Sequence, residues 1–378
     1  MDCTHYAAGD CTSCTLLPVP YPDQVSLVDA RLRELLGPFL ARDGEWLPPA
    51  LSATSRFRNK AKLVVSGDAS APILGLRGVE LTDCPLYPAA ITAAVEPIRE
   101  LIRRAQLPPY DPARHRGELR HVLITASPDG GLLIRFVLRT EKPLPRIREH
   151  LPRLLSALPE TEVFSCNLHP ERVATLEGPR EVMLHGDTLL MRLSLGGGEL
   201  PLHLRPRSFF QTNTQVAQAL YTQVADWVGR VAPVSVWDLF CGVGGFALAC
   251  ASLPGGGPRE ITGVEVSEEA IASARRSARE LGVSADFFAT DARAWLGEQE
   301  NAAEMVIVNP PRRGIGKEST DFFNRVLPAH LVYSSCNPQS LARDLARMPG
   351  YRISAGRLFD MFPHTDHAEV AVLLTRLP

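Results

Sequence analysis

The chain has 378 residues, of which 45% are hydrophobic and 22% charged, and its formal net charge is −2. This length exceeds one ordinary hydrophobic core and favours two domains, while no run approaches the roughly 18–20 apolar residues of a membrane span. The near-neutral charge gives no overall signature of nucleic-acid binding. Residues 1–5 lack the basic and apolar regions of a secretory signal, so we expect a cytoplasmic protein.

The first part of the chain mixes helical and strand patterns. Helical spacing of apolar residues covers 24–41, and a second helix is predicted at 89–105. Two-residue alternation predicts strands on both sides of the turn sequence Ser-Pro-Asp-Gly-Gly, and further short strands follow: 121–126, 132–139, 161–168 and 181–193. Residues 1–205 are therefore predicted to form an α+β domain with a mainly antiparallel sheet.

After Arg205 the pattern changes to alternating strands and helices. The predicted strands are 234–240, 260–266, 285–289, 304–309, 330–335, 351–359 and 369–376. The predicted helices are 213–229, 245–252, 268–281, 318–326 and 338–347. This alternation is typical of a parallel sheet with helices on both faces, that is, of a Rossmann-like α/β domain over 206–378. No helix separates the last two strands, which predicts an antiparallel strand at the end.

A glycine-rich loop lies between the first strand and the next helix of the second domain. Residues 238–246 read Asp-Leu-Phe-Cys-Gly-Val-Gly-Gly-Phe, and Glu265 ends the following strand, where it could accept both hydroxyls of a ribose. A turn without a ligand is the simpler alternative, and NAD is a competing ligand. The absence of G-x-G-x-x-G spacing favours S-adenosylmethionine over a pyrophosphate-containing cofactor.

Three further polar residues lie at strand ends, where ligands bind in such sheets. Asn309 ends one strand, Cys336 ends the next, and Glu369 begins the final strand. Cys336 could be a small buried hydrophobe, but Pro338 suits a helix start whose positive end would lower the pKa of the thiol. Glu369 alone could be a solvated carboxylate. Beside a cysteine nucleophile, a general base becomes the better interpretation.

The N-terminal cysteines form a second candidate site. Cys3, Cys11 and Cys14 have the spacing C-x7-C-x2-C, and Cys84 follows after 69 residues. Four thiolates suit either a tetrahedral zinc or an iron–sulfur cluster, and the spacing does not choose between them. Scattered cysteines such as Cys166, Cys241 and Cys250 are interpreted as packing residues.

Basic residues form local groups despite the near-neutral net charge. Arg56, Arg58, Lys60 and Lys62 alternate, so a strand here would carry four positive charges on one face. Such a run is more often a solvated face, and phosphate contact is the functional alternative. Further basic candidates are Arg114, His115, Arg116, Arg205, Arg207, Arg312 and Arg313.

These motifs together resemble the RNA uracil-C5 methyltransferase family. The matching segments, in chain order, are the N-terminal cysteines, 57–62, 208–213 (Ser-Phe-Phe-Gln-Thr-Asn), 238–246, 309–314, 334–337 and 360–369. They extend over nearly the full chain, and the similarity is greatest to the RumB-type branch, which modifies 23S ribosomal RNA. Other branches carry an additional N-terminal β-barrel, and because Cys3 lies at the start of the sequence we expect no such domain here.

The resemblance implies a cysteine-based reaction. The Cys336 thiolate would add to C6 of a uracil, C5 would take the methyl group of S-adenosylmethionine, and Glu369 would remove the C5 proton. The resemblance also implies that the cofactor contacts Gln211, Phe240, Glu265 and Asn309, with Asp291 a weaker candidate for the adenine. The target base must leave its stack to react.

The resemblance further favours a [4Fe–4S] cluster on Cys3, Cys11, Cys14 and Cys84. The expected partner is RNA, with no membrane, and the expected state is a monomer. Three alternatives stay open: the same chemistry on tRNA, an amino-methyltransferase using residues 309–311, and a non-catalytic iron–sulfur RNA-binding protein. Arg312 follows the 309–311 motif, where an amino-methyltransferase typically has an aromatic residue.

Overall fold

The computed structural model describes residues 1–76, 78–196, 198–252 and 259–378. Its helices are α1 Thr4–Ala7, α2 Tyr21–Leu36, α3 Ala89–Arg104, α4 Leu144–Ala157, α5 Thr214–Val231, α6 Gly245–Ser252, α7 Glu268–Leu281, α8 Ala292–Gly297, α9 Gly316–Val326 and α10 Pro338–Ala346. Within these described ranges, no helix has both the length and the apolarity that a bilayer crossing demands.

The strands divide into three sheets. In chain order they are β1 Leu40–Trp46, β2 Lys60–Gly67, β3 Pro72–Leu76, β4 Val79–Glu80, β5 Leu119–Ala126, β6 Leu132–Leu138, β7 Thr161–Leu168, β8 Arg180–His185, β9 Leu189–Leu195, β10 Gly198–Leu204, β11 Ser235–Leu239, β12 Glu260–Glu265, β13 Asp286–Ala289, β14 Met305–Val308, β15 His330–Ser335, β16 Tyr351–Phe359 and β17 Glu369–Arg376. Strands β9 and β10 form a two-stranded sheet of their own.

The chain divides into two compact units. The first unit contains Met1–Cys14 and Thr54–Met191, and the second contains Thr15–Ala53 and Arg192–Pro378. The sequence-based division into 1–205 and 206–378 differs from these units mainly in residues 15–53. Those residues join the second unit because α2 packs its apolar face into that unit's core.

The first unit contains a seven-stranded sheet in the order β4-β3-β2-β5-β6-β7-β8. Its pairs are antiparallel except β6 with β7, which fits the mainly antiparallel sheet that the sequence predicts. Alternate side chains on β6 and β7 join apolar residues of α3 and α4 in one core, in which the Phe136 and Phe164 rings lie 5.0 Å apart.

The second unit contains an eight-stranded sheet in the order β1-β16-β17-β15-β14-β11-β12-β13. Strand β17 is antiparallel to both of its neighbours, and the other pairs are parallel. The predicted antiparallel strand at the end of the chain is therefore confirmed. Because β11 lies between β12 and β14, the carboxyl ends of these three strands meet at one edge.

Helix α2 is shorter than the sequence pattern predicts. It ends at Leu36, a short turn Gly37–Phe39 follows, and Leu40–Trp46 form β1, which pairs parallel with β16. The proline after Gly37 stops the helix, although the apolar spacing of the sequence continues to residue 41. The edge strand β1 was not predicted because its sequence, Leu-Ala-Arg-Asp-Gly-Glu-Trp, does not alternate apolar and polar residues.

The predicted strand of four basic residues is wrong. Strand β2 begins at Lys60, and Arg56 has a left-handed backbone with φ 56°, so Arg56 and Arg58 lie before the strand. Only Lys60 and Lys62 alternate with buried Ala61 and Leu63 as expected. Burial lowers the pKa of Lys60 to about 8, which makes it a weak candidate for phosphate contact.

Candidate active site

The glycine loop turns sharply between β11 and α6. Its backbone is left-handed at Phe240 (φ 63°), Gly242 (φ 54°) and Gly244 (φ 85°). Glycine adopts this conformation freely, whereas it is unusual for phenylalanine and is found most often where a site requires it. Gly245 allows a close approach, since a Cβ there would lie 2.6 Å from the hydroxyl of Tyr221.

Two carboxylates hold this loop in place. Glu265 accepts hydrogen bonds from the backbone N–H of Gly242 at 3.3 Å and of Ser267 at 3.0 Å. Asp238 is buried and accepts from the N–H of Ala247 at 2.9 Å, while its Oδ1 has no partner within the described residues. Burial raises the pKa of Asp238 to about 7. The Glu265 carboxylate thus lies against the loop at the carboxyl edge of the sheet.

Three of the four predicted cofactor residues lie at the ends of neighbouring strands. Phe240, Glu265 and Asn309 lie at the carboxyl ends of β11, β12 and β14, and the N–H of Asn309 approaches the carbonyl of Leu239 at 3.5 Å. Gln211 is buried in the segment between β10 and α5. The sheet itself therefore brings Phe240, Glu265 and Asn309 to one edge.

Asp291, the weaker adenine candidate, already has a structural partner. Its carboxylate accepts from the backbone N–H of Arg293 at 2.9 Å and of Ala294 at 3.2 Å, so it caps the N-terminus of α8. A capping carboxylate still has lone pairs available, but its orientation is set by the helix.

Cys336 lies just beyond the end of β15, beside Glu369 at the start of the neighbouring antiparallel strand β17. The register pairs Ser335 of β15 with Val370 of β17, and continuing it by one residue sets Cys336 opposite Glu369. Glu369 is 1% exposed and accepts a hydrogen bond from the hydroxyl of Ser334 at 2.5 Å. The sheet register thus brings the predicted nucleophile and the predicted base together, although they are far apart in sequence.

The electrostatics of this pair differ from the sequence-based expectation. Burial and the charge of Glu369 raise the pKa of the Cys336 thiol, and only Arg312 among the nearby charges lowers it. The sequence predicts a lowered pKa for this thiol, whereas in the structure the net shift is upward, with burial as the largest cause. Burial also raises the pKa of Glu369 to about 7, with the Ser334 hydrogen bond acting in the opposite direction.

A cavity of about 720 Å³ opens beside Cys336. Its wall includes Arg312, Asp366 and His367 and one face of α2, with Arg31 and Glu34 exposed toward it. Helical spacing identified α2, but no sequence signal indicated that its face lies beside the thiol. The full lining is Val28, Arg31, Leu32, Glu34, Leu35, Arg312, Cys336, Asn337, Pro338, Gln339, Asp366, His367 and Ala368.

The loop that precedes Glu369 is anchored by residues around the start of α2. The Tyr21 hydroxyl donates to Asp360 Oδ2 at 2.6 Å, and Gln24 Oε1 accepts from the N–H of His364 at 3.0 Å. His364 is buried with a left-handed backbone (φ 67°), whereas His367 is exposed. No local sequence signal assigns a role to either histidine or indicates Tyr21 and Gln24, because the partners of Tyr21 and Gln24 lie more than 300 residues away.

The four N-terminal cysteines belong to the first unit and are all half-buried free thiols. Burial and then the neighbouring Cys84, Cys11 and Cys3 raise the pKa of Cys14 to about 11, while Arg58 lowers it. The thiols therefore lie within electrostatic reach of one another. Across the described ranges, however, no group of three or more His, Cys, Asp or Glu side chains has the geometry of a preformed metal site.

The remaining cysteines pack in the interior, as predicted. Cys166 and Cys250 are 0% and 1% exposed, and burial raises the pKa of both thiols far above the ordinary range. Cys241, in the glycine loop, is also buried. None of the three has the half-exposed setting of Cys336.

Comparison with known proteins extends the match beyond the site. A family model described as a methyltransferase domain matches residues 236–317, and one described as tRNA (Uracil-5-)-methyltransferase matches residues 294–377. The chain is 47% identical to the 23S rRNA (uracil(747)-C(5))-methyltransferase RlmC of Halothiobacillus neapolitanus and 46% identical to that of Serratia proteamaculans, in each case over 100% of both chains.

A solved structure shows the same fold. The crystal structure of Pyrococcus abyssi tRNA (uracil-54, C5)-methyltransferase in complex with S-adenosyl-L-homocysteine matches with a TM-score of 0.78 at 25% identity, covering 96% of this chain and 85% of that one. The Rossmann-like methyltransferase fold and the resemblance described above are thereby confirmed. With full-length relatives at this identity and a matching fold, the chain belongs to the RNA uracil-C5 methyltransferase family.

Proposed function

We propose that the chain transfers a methyl group from S-adenosylmethionine to C5 of a uridine in 23S rRNA. The observation that carries this proposal is the position of Cys336, just beyond the end of β15, next to the charge of Glu369 on the antiparallel strand β17, in the sheet whose edge carries the glycine loop. The names of the full-length relatives support the choice of 23S rRNA and indicate uracil 747 as the position to test first.

Phe240, Glu265 and Asn309 would hold the cofactor at the ends of β11, β12 and β14, with Gln211 contributing from the segment before α5. S-adenosylmethionine, when bound, supplies the electrophilic methyl group that C5 takes. The fit rests on the left-handed loop backbone and on the carboxylate of Glu265 facing the loop. The S-adenosyl-L-homocysteine bound in the Pyrococcus abyssi relative supports the same choice of cofactor.

The protein side chains carry the remaining steps. The Cys336 thiolate adds to C6, forming a C–S bond and moving the electron pair of the C5–C6 double bond onto C5 and the O4 enolate. After methylation, Glu369 takes the proton from C5, and the C–S bond breaks as the double bond re-forms. A carboxyl whose pKa lies at about 7 suits this transfer, because it accepts a proton near neutral pH and can release it again.

The cavity beside Cys336 would receive the flipped base. Its volume of about 720 Å³ exceeds that of one nucleotide base, so part of the flanking backbone can enter as well. Arg31 and Arg312 line it, and neither guanidinium has an ion-pair partner in the described part of the chain. Both are therefore available for phosphate contacts.

The decisive experiment compares RNA substrates. Purified protein is incubated with labelled S-adenosylmethionine and with transcripts of 23S rRNA or tRNA, and 5-methyluridine is mapped in each. We expect the label at one uridine of 23S rRNA. Methylation of tRNA alone would assign the same chemistry to a different substrate, and a methylated exocyclic amine would contradict the proposed reaction.

We also propose that Cys3, Cys11, Cys14 and Cys84 bind a [4Fe–4S] cluster. Support comes from the electrostatic coupling of the four thiols and from Arg58, whose positive charge lowers the pKa of Cys14 and Cys84 and would offset thiolate charge. The cluster would connect the N-terminal segment to the turn that contains Cys84.

Anaerobic reconstitution with iron and sulfide tests this assignment. About four irons per chain and a cluster absorption band are expected, and Cys84→Ser should lower both. Cys166→Ser is the matched control, because this buried thiol lies outside the group. Stoichiometric zinc in protein purified without oxygen, with no iron, would contradict the cluster.

A further inference from the structure

Ser334 makes the closest polar contact of the buried carboxylate. It is 0% exposed, lies two residues before Cys336 on β15, and donates from its hydroxyl to Oε1 of Glu369 at 2.5 Å. Glu369 Oε2 accepts no hydrogen bond in the described ranges. One oxygen of the carboxylate is thus fixed and the other is available.

The sheet register makes this contact specific. Ser334 pairs with Ala371, so Ser334 and Glu369 lie on the same face of β15 and β17, one diagonal step apart. Cys336 continues that face just beyond the end of β15, because side chains on one face recur every second residue. Neither Ser335 nor Val370 could replace Ser334, since both point to the opposite face.

Few other polar groups face Glu369. The charge of Glu369 raises the pKa of Cys336, which follows β15, and of Tyr221 on α5. Arg357 on β16 shares the face, but its guanidinium donates to the carbonyl of Pro48 and to Gln223, and Asp226 is the acidic group beside it. Ser334 is therefore the group placed to donate to the carboxylate.

We propose that Ser334 is a positioning residue, which holds Oε1 of Glu369 so that Oε2 faces the uracil C5 proton and remains ionised until proton transfer. This inference rests on the proposed function. The hydrogen bond favours the charged carboxylate, because a donor stabilises an anion more than a neutral acid. Loss of the donor should therefore slow proton removal and leave the earlier addition of Cys336 intact.

A matched pair of variants separates the effect of the hydroxyl donor from the effect of side-chain shape. Thr and Val have nearly the same shape and differ in the donor, so Ser334→Thr should retain turnover, while Ser334→Val and Ser334→Ala should lose about tenfold or more at neutral pH. The rising limb of the pH profile should move to higher pH in the variants without a hydroxyl, because removing the donor raises the pKa of Glu369. Ser273→Ala, at a buried serine on α7, is the control.

A second readout distinguishes positioning from damage to the fold. RNA containing 5-fluorouridine traps the covalent adduct before the C5 proton would leave, so Ser334→Val should form adduct at least as fast as the unchanged protein. Equal losses of adduct and turnover, or an unchanged pH profile in Ser334→Val, would overturn the proposal. If the unchanged protein itself forms no adduct and no 5-methyluridine, the proposed function fails instead.

Discussion

The two regions of the molecule with half-buried cysteines share part of their electrostatics. In the second unit, burial raises the pKa of Cys336 and Arg312 lowers it; in the first unit, burial raises the pKa of Cys14 and Cys84 and Arg58 lowers it. The two regions differ in what else raises the pKa. For Cys336 it is the carboxylate of Glu369, whereas for Cys14 and Cys84 it is other thiols.

This difference fits the two proposed roles, a nucleophile at Cys336 and a set of metal ligands at the N-terminal cysteines. A carboxylate beside a thiol can remove a proton from a substrate that the thiol has attacked, whereas several neighbouring thiolates can bind one metal cation together. The supporting structure differs as well. Cys336 follows a strand fixed on both sides by backbone hydrogen bonds, while Cys3, Cys11 and Cys14 lie in a segment with only the four-residue helix α1.

The largest expected effect comes from removing each kind of thiol. Cys336→Ala should lower methyl transfer at least about 10³-fold, because the covalent route disappears, and should leave the iron content unchanged. Cys14→Ala should have the opposite pattern, with a large loss of iron and a smaller loss of methyl transfer. Methylation assays and iron analysis on the same preparations check this, with Cys250→Ala as the control. If Cys336→Ala lowers iron and Cys14→Ala does not, the contrast between the two regions breaks down.

Two substitutions should shift the Cys336 pKa in opposite directions. Glu369→Gln removes the charge that raises it, so alkylation of the thiol at about pH 8 should become several-fold faster. Arg312→Gln removes the charge that lowers it, and alkylation should slow. The rate of iodoacetamide labelling, followed by mass spectrometry against pH, measures both. Shifts of the same sign in the two variants would refute this account of the pair.

The stability of the protein should depend on pH through the buried carboxyls. Burial raises the pKa of Asp238 and Glu369 to about 7, so the folded protein binds these protons more tightly than the unfolded chain. This stabilisation is present below the ordinary carboxyl pKa and is lost as the pH rises through about 7.

Glu369→Gln removes its share of that dependence. As the pH rises from about 5 to about 8, the unchanged protein should lose stability that the variant keeps. The difference in the free energy of unfolding should therefore shift in favour of the variant by on the order of 1–3 kcal/mol over this range. Chemical denaturation at several pH values measures the difference, with the exposed Glu298→Gln as control. A difference that stays constant with pH would contradict the raised pKa.

The smallest effect concerns a carboxylate whose visible role is structural. Asp291→Ala should cost about 1 kcal/mol of stability, because it removes the N-cap of α8, and Asp291→Asn should cost less since an amide oxygen can also cap. Thermal unfolding checks this. A loss of S-adenosylmethionine affinity in Asp291→Asn, measured by calorimetry, would instead assign Asp291 a direct contact with the cofactor.

Much of the second unit follows from local patterns. The bounds of α6, α7, β15, β16 and β17 agree with the periodicity and the turn residues of the sequence. Local signals are sufficient for these segments because each has a regular apolar pattern, and α7 also has a capping serine and a glycine at its end. They fail at α2, where the apolar face is evident but the sheet on which it packs is not.

The site divides in the same way. The types and spacing of residues were sufficient to identify Cys336, Glu369, Glu265 and the N-terminal cysteines as candidates, and the match in motifs indicated the family. These features are local: a glycine loop after a strand, a cysteine at a strand end, and a short cysteine spacing each have a meaning that does not depend on distant parts of the chain.

Only the tertiary structure decided the direction of the Cys336 pKa, the contact of Ser334 with Glu369, and the position of α2 beside the thiol. Each depends on groups apart in sequence, as do Gln24 and His364, whose side chains meet although they are 340 positions apart. Burial and charge act through distances in space, and the chain order does not contain those distances until the sheet has formed.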